Sequence, residues 1–372
     1  GHNNLNQTAS SKPGPIHTAL VHINPKGKRM KTFFSVFVMT FAVIHNSYGQ
    51  PAPFFRGTLV DAHSQVRCDI DPVEVGEIIN SRDIDYVLLS ASGCNKKEKF
   101  FSDVVTQYKN LAKVVVENKK IFGLAGMKNF SNAGVWHFSE AEKSWEVAEE
   151  AGFKGLAEIL IQHAVWDGQD SRLTFAGLQM NLADKGLEKV IEFSGQKKFP
   201  VILHIELNDS ADKREETVRK LEELLVKYDS QSFVLIHLGQ ASPKIAKELL
   251  AKYKNIFFLT SMASGFYQIF TRGKEVHHQD GWETFFEVEG KNMKQHASNP
   301  FWRNEWRQLV LDYPDKFILG FDNVFAGNWR NRYKVDIAIW RRGLARLEPN
   351  VAKQLACSNA KKLWGLPITC SK

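Results

Sequence analysis

The chain has 372 residues, of which 43% are hydrophobic and 24% charged, and its formal net charge is +8 at pH 7. Five of its 49 basic residues and none of its 41 acidic residues lie in residues 1–49, so the remaining 323 residues carry 44 basic and 41 acidic side chains, a net charge of +3. That balance excludes the strongly basic face or domain that is typical of nucleic-acid binding, and the length allows one large barrel or two ordinary domains.

Residues 1–49 are predicted to be a leader that includes a secretory signal peptide. Basic residues around Met30 precede an apolar run at 33–44, and small residues end the segment. This order is typical of a signal peptide at about 30–49 that is cut after Gly49. The apolar run is shorter than the roughly 20 residues that span a bilayer, although a retained N-terminal anchor is the alternative. We therefore expect a periplasmic or secreted protein with no membrane segment after cleavage.

Residues 50–372 are predicted to form one α/β domain, a (β/α)8 TIM barrel. Short apolar runs recur along this segment, each followed by a helical pattern such as the one at 211–228. Continuous apolar runs indicate strands buried on both faces, as in a parallel sheet covered by helices. A doubly wound sheet is the alternative, but it usually has a glycine-rich turn after its first strand, and 61–65 is not glycine-rich. The predicted strands are 58–63, 84–91, 121–126, 155–160, 200–206, 233–237, 256–260 and 317–322.

Two connections are predicted to be long loops after strands four and seven, at 162–180 and 261–300. Loops on this side of a barrel carry specificity and lids, and the second one is rich in aromatic residues. An insertion that only packs against the barrel or a neighbouring subunit is the alternative, which also allows a homo-oligomer.

Four cysteines are predicted to form structural disulfides, because export places them in an oxidising compartment. Cys68 and Cys94 follow adjacent predicted strands, whereas Cys357 and Cys370 lie close together near the C-terminus. Each pair is expected to form one bridge. A catalytic thiol is the alternative, for which no histidine partner motif is present.

Polar side chains stand at the ends of several predicted strands. The carboxyl ends of barrel strands converge on one mouth, so residues from different strands can meet there. Imidazole and carboxylate groups are the ligands that zinc uses. A lone histidine is more often a satisfied core residue, but the shared placement favours a site because burying polar groups costs free energy. The residues at strand ends are His63, Glu158, His204, Glu206, His237 and Asp322.

The order of these motifs resembles the amidohydrolase superfamily. Asp61-x-His63 is similar to its strand-one opening, His204 and His237 to the histidines of strands five and six, and Asp322 to the strand-eight aspartate. The closing segment 359–366 is similar to the Asn-Ala-x-x-Leu-x-Gly-Leu helix of the branch called amidohydrolase 2, which includes lactonases and decarboxylases.

The resemblance implies one divalent metal ion, with zinc as the expected ion. Its ligands would be His63, His204 and Asp322, with Glu158 or His237 completing the set. Gln65 departs from the family pattern because it replaces the second strand-one histidine, and an amide oxygen is a poor zinc ligand beside imidazole. A barrel that works without metal is therefore the alternative. Residues expected around the ligands or against the substrate are Asp61, Gln65, His163 and Glu206.

The resemblance also implies hydrolysis of a small ester, lactone or amide by activated water. Asp322 would accept the proton of the water, and His237 would stabilise the oxyanion. The partner is then a small-molecule substrate and not a nucleic acid. Three alternatives are a non-oxidative decarboxylase on the same site, a degenerate barrel that only binds a ligand, and a TatD-like nuclease, against which the charge balance and Gln65 both count.

Overall fold

The structure, a computed structural model, describes residues 53–92, 99, 103–125, 145–167, 174–179, 182–207, 211–261, 286–287 and 301–371. The predicted leader, Cys94 and most of the 261–300 connection lie outside these residues. The strands are β1 Val60–Val66, β2 Tyr86–Ala91, β3 Ile121–Leu124, β4 Leu156–Leu160, β5 Gln162–Asp167, β6 Thr174–Gln179, β7 Val201–His204, β8 Phe233–Leu235, β9 Ile256–Leu259, β10 Phe286–Glu287, β11 Phe301–Trp302 and β12 Phe317–Ile318. The α-helices are α1 Pro72–Ser81, α2 Val104–Glu117, α3 Lys185–Lys197, α4 Ala211–Lys227, α5 Pro243–Lys252, α6 Asn304–Asp312, α7 Tyr333–Leu344, α8 Pro349–Lys353 and α9 Asn359–Trp364.

Within the described part of the chain, eight strands run parallel in the order of a TIM barrel. Regular pairing forms one sheet of β1, β2 and β3 and another of β4, β7, β8, β9 and β12. Backbone hydrogen bonds join the two sheets at both edges: Ala157 N donates to Ala125 O at 3.0 Å, and Asp322 N donates to His63 O at 2.8 Å. The predicted (β/α)8 fold is confirmed, and the doubly wound alternative is wrong.

The sequences of the strands are continuous apolar runs because both faces of each strand are buried. Inward-facing side chains fill the barrel, and outward-facing ones pack against the helices. Helix boundaries follow ordinary capping chemistry: the Ser242 hydroxyl accepts from Ile245 N at the start of α5, with Pro243 at the first helical position. The side chains that fill the barrel interior include Val60, Ala62, Leu88, Leu124, Ile202, Val234, Leu259 and Ile318.

The C-terminal segment closes the amino-terminal end of the barrel. Trp364 and Leu366 join the apolar cluster of the barrel interior. Thr58, just before β1, donates its hydroxyl to Thr369 O at 3.1 Å. A disulfide between Cys357 and Cys370 fixes this segment, which confirms the second predicted bridge. Cys68 is also disulfide-bonded, but its predicted partner lies outside the described residues.

Both predicted long connections carry short antiparallel strand pairs in their described parts. The first holds the pair of β5 and β6, and the second holds β10, which pairs with β11 directly after the connection. No helix among the described residues is long and apolar enough to cross a membrane.

Candidate metal-binding active site

The carboxyl-terminal parts of four barrel strands bring the predicted polar residues together. His63 and Gln65 lie on β1, Glu158 on β4 and His204 at the end of β7, while Asp322 follows β12. Asp322 has a left-handed backbone (φ 49°), a conformation that costs a non-glycine residue roughly 1–2 kcal/mol. Such strain persists only where surrounding contacts impose it, and it is concentrated at functional sites.

Three of these side chains form a group that fits a metal ion. His63, Glu158 and Asp322 each offer one ligand atom, these atoms all lie within 4.8 Å of one another, and the three residues are buried. His63 Nδ1 lies 3.4 Å from Asp322 Oδ1. One imidazole nitrogen and two carboxylate oxygens are a donor set that zinc and related divalent ions accept. When ionised, the buried carboxylates of Glu158 and Asp322 are stabilised by a nearby positive charge, because an unbalanced buried charge is costly.

Gln65 lies between the two carboxylates of this group. Its Nε2 donates to Glu158 Oε2 and to Asp322 Oδ1, each at 2.8 Å. The backbone of Gln65 is held as well, because its N donates to Asn323 O at 2.7 Å and its O accepts from Trp329 Nε1 at 3.0 Å.

His204 lies between two further carboxylate contacts. Its Nδ1 contacts Glu158 Oε1, and its Nε2 lies 3.3 Å from Glu206 Oε1. Burial lowers the pKa of His204, but the charges and hydrogen bonds of Glu158 and Glu206 outweigh that effect and raise it to about 10. Gln240 Nε2 also donates to Glu206 Oε1, at 3.1 Å. The two carboxylates therefore favour the protonated form of His204, which links Glu158 to Glu206.

His237 faces Asp322 from the end of β8, which β9 separates from β12 in the sheet. It begins a run of left-handed residues, with φ 53° at His237, 55° at Leu238, 61° at Gly239 and 47° at Gln240. His237 Nδ1 lies 3.0 Å from Ser261 O, and its Nε2 lies 3.5 Å from Asp322 Oδ2. Because a carbonyl oxygen can only accept, Nδ1 carries a proton and donates it to Ser261 O. Nε2 then faces Asp322 Oδ2, and a hydrogen bond between these two atoms needs a proton on one of them.

Asp61 is not one of the three candidate ligands, and it supports the backbone that carries them. Its carboxylate accepts from Phe321 N at 2.9 Å, from the Ser64 hydroxyl at 2.6 Å and from the Tyr333 hydroxyl at 3.0 Å. Burial raises the pKa of Asp61 to about 7, against the lowering effect of these hydrogen bonds. Ser64 Oγ in turn accepts from Asn323 N at 3.1 Å. These bonds fix the segments on both sides of Asp322.

The structure also places polar residues at the site that the sequence patterns did not indicate. Ser90 is the β2 partner of Gln65 in the parallel register, so its side chain points to the same side of the sheet. Within the described part of the chain, Ser90 Oγ and Asn323 Nδ2 are buried and make no hydrogen bond. His163 lies on β5, and its side chain is outside what the structure describes. Residues such as Ser90 and Asn323 belong to no motif with a recognisable spacing, so the sequence offers no signal that would have identified them.

Comparison with known proteins shows the fold. A dihydroorotase from Campylobacter jejuni shares 14% identity over 87% of this chain and 88% of its own, with a TM-score of 0.50. An uncharacterised TIM-barrel protein from Bordetella bronchiseptica shares 10% identity over 83% of this chain and 98% of its own, also with a TM-score of 0.50. No family model matches the chain, and neither does any curated protein sequence. The chain therefore has a TIM-barrel fold with low sequence identity to these solved structures.

Proposed function

We propose that the protein is an amidohydrolase-type hydrolase that cleaves a small ester, lactone or amide with activated water. The observation that carries the proposal is the buried group of His63, Glu158 and Asp322 at the carboxyl end of the barrel. The fold comparison and the order of the strand-end motifs support it. Active sites of TIM-barrel enzymes lie at this end of the strands, whichever chemistry they perform.

The residues that would hold the ion are His63, Glu158 and Asp322, and we propose zinc as the ion. When bound, such an ion lowers the pKa of water and polarises a carbonyl group. His204 is not needed as a ligand in this arrangement, since both of its ring nitrogens face carboxylate oxygens.

The proton transfers follow from the contacts of Asp322. As the oxygen of water bonds to the carbonyl carbon, Asp322 takes the proton from that water. His237, fixed by the Ser261 carbonyl, keeps a proton within reach of Asp322 Oδ2 and of the developing oxyanion. When the bond to the leaving oxygen or nitrogen breaks, Asp322 returns the proton to that atom. The site then regains its starting protonation state.

Elemental analysis with two matched variants tests the ion. Glu158 and Glu206 both contact His204, but Glu158 alone belongs to the three-ligand group. After reconstitution with zinc and removal of unbound ion, we expect about one ion per chain in the wild type and in Glu206→Gln, and a large loss in Glu158→Gln. No stoichiometric ion in the wild type, or equal content in both variants, would overturn the proposed site.

We also propose that the protein is exported and acts in the periplasm or outside the cell. The basic and apolar pattern at about 30–49 supports this location. Intact-mass analysis of the protein recovered from a secreting host is expected to show a chain that begins at Gln50. A full-length chain retained in the cytoplasm would contradict export.

A further inference from the structure

A single amide nitrogen lies between the two carboxylates that would hold the ion. Gln65 Nε2 is 2.8 Å from Glu158 Oε2 and 2.8 Å from Asp322 Oδ1, and all three residues are almost fully buried. An NH₂ group has two hydrogens, and here each one is donated to a different carboxylate. In the protein without a cation, this amide is therefore a neutral group that connects two buried acidic side chains.

The orientation of the amide follows from its neighbours. Turning Oε1 toward Glu158 and Asp322 would set an acceptor against two further acceptors, which ionised carboxylates would oppose. The backbone of Gln65 is held on both sides, by Asn323 O and by Trp329 Nε1. Only rotation of the side chain can therefore remove the amide from this position.

A cation held by Glu158 and Asp322 would compete with the amide, because the amide already donates to both of these carboxylates. Divalent ions bind carboxylate oxygens at about 2.0–2.2 Å, closer than the 2.8 Å of these hydrogen bonds, so both groups cannot keep the same two carboxylates at once. We propose that the Gln65 amide holds the two carboxylates together in the metal-free protein and is displaced when a divalent ion binds. Residue 65 then sets the affinity of the site for the ion, an inference that rests on the proposed function.

The test compares Gln65→Met with Gln240→Met in the full chain. Methionine keeps most of the side-chain volume but donates no hydrogen bond, and Gln240 is the matched control because it donates to Glu206, outside the three-ligand group. Two quantities are measured: the Tm of chelator-treated protein, and the Kd for zinc from chelator competition. Gln65→Met is expected to lower the metal-free Tm by several degrees and to tighten zinc binding by about tenfold or more. Gln240→Met is expected to leave the zinc Kd close to that of the wild type.

The outcomes separate this inference from the proposed function. Weaker or unchanged zinc binding in Gln65→Met, with a wild type that binds zinc, would overturn the displacement and make Gln65 a ligand or a bystander. No zinc binding by any of the three proteins would instead overturn the proposed metal site itself. If Gln65→Met does not fold, Gln65→Ala gives the same comparison of Kd, since water can then bridge the carboxylates.

Discussion

Replacement of Asp322 by asparagine is expected to lower kcat/KM for the hydrolysed substrate by about 10³–10⁴-fold, because the variant has no group that can take the proton of water. The substitution keeps the shape of the side chain and the Oδ1 that accepts from Gln65 Nε2. It removes the second carboxylate oxygen, which faces His237 Nε2 at 3.5 Å. Steady-state kinetics on a screened ester, lactone or amide measure the effect.

A control variant at Asp69, which contacts the segment that carries Asp322, separates an effect on catalysis from an effect on folding. Asp69 accepts a hydrogen bond from Ala326 N at 3.0 Å, four residues beyond Asp322, and it has no contact with the three-ligand group in the described part of the chain. Asp69→Asn should therefore keep activity near that of the wild type. Turnover by Asp322→Asn at a wild-type rate would remove Asp322 from the mechanism. Ligand binding without turnover by the wild type would favour the ligand-binding barrel instead.

Replacement of Arg341 by methionine is expected to reduce the free energy of unfolding by about 2–4 kcal/mol, because buried carbonyl oxygens lose their donors. The Arg341 side chain on α7 is 5% exposed, and it ion-pairs with Asp83 Oδ2 at 2.7 Å. Its Nη1 donates to Phe55 O and Gly57 O, both at 3.0 Å, and its Nη2 donates to Asp83 O at 3.0 Å. Methionine would leave three carbonyl oxygens without these donors, and unmade bonds of buried groups are costly.

Urea unfolding followed by circular dichroism measures this loss, with Arg342→Met as the control. Arg342 is the next residue of the same helix and is half-buried, and no hydrogen bond or ion pair is made by it within the described part of the chain. A loss below about 1 kcal/mol for Arg341→Met, as for an exposed ion pair, would show that the N-terminal segment 53–59 is held by other contacts.

The barrel could be predicted from the sequence because its strands obey a simple rule. A parallel strand covered on both faces is apolar throughout, and runs such as 200–206 and 233–237 stand out for that reason. The helix predicted at 211–228 corresponds to α4, and Ser242 caps the next helix as its chemistry favours. Local patterns of this kind are sufficient to place β–α units in order.

The contacts of the site could not be predicted in the same way. Asp61 was expected beside the ligands or the substrate, and its carboxylate accepts from Phe321 N, next to Asp322. Its other bond, with the hydroxyl of Tyr333 that lies 272 positions along the chain, follows no local pattern. Gln65 was expected to be a poor ligand, and the two bonds donated by its amide depend on how β1 faces β4 and the end of β12. Partners of this kind are set by tertiary packing, for which no local pattern exists.

The backbone conformation near the site could not be predicted from the sequence either. Of the four left-handed residues from His237 to Gln240, one is a glycine, the residue type that usually signals such a turn. Tertiary contacts impose the conformation: His237 N donates to Ser261 Oγ at 3.0 Å, and Leu207 N donates to Gly239 O at 2.9 Å. The first long connection likewise holds the β5–β6 pair, whereas the sequence predicted a loop there.

The C-terminal segment that fills the amino-terminal end of the barrel has a kinetic consequence. Trp364 and Leu366 occupy that end, and the disulfide at Cys357 holds the segment in place. Because side chains also fill the barrel interior, small molecules reach the three-ligand group only from the opposite end. Substrate arrives and product departs on the same side, so a product that lingers there competes directly with the next substrate molecule. Under the proposed function, a product that binds the free enzyme at this site is expected to inhibit competitively, raising the apparent KM while leaving kcat unchanged.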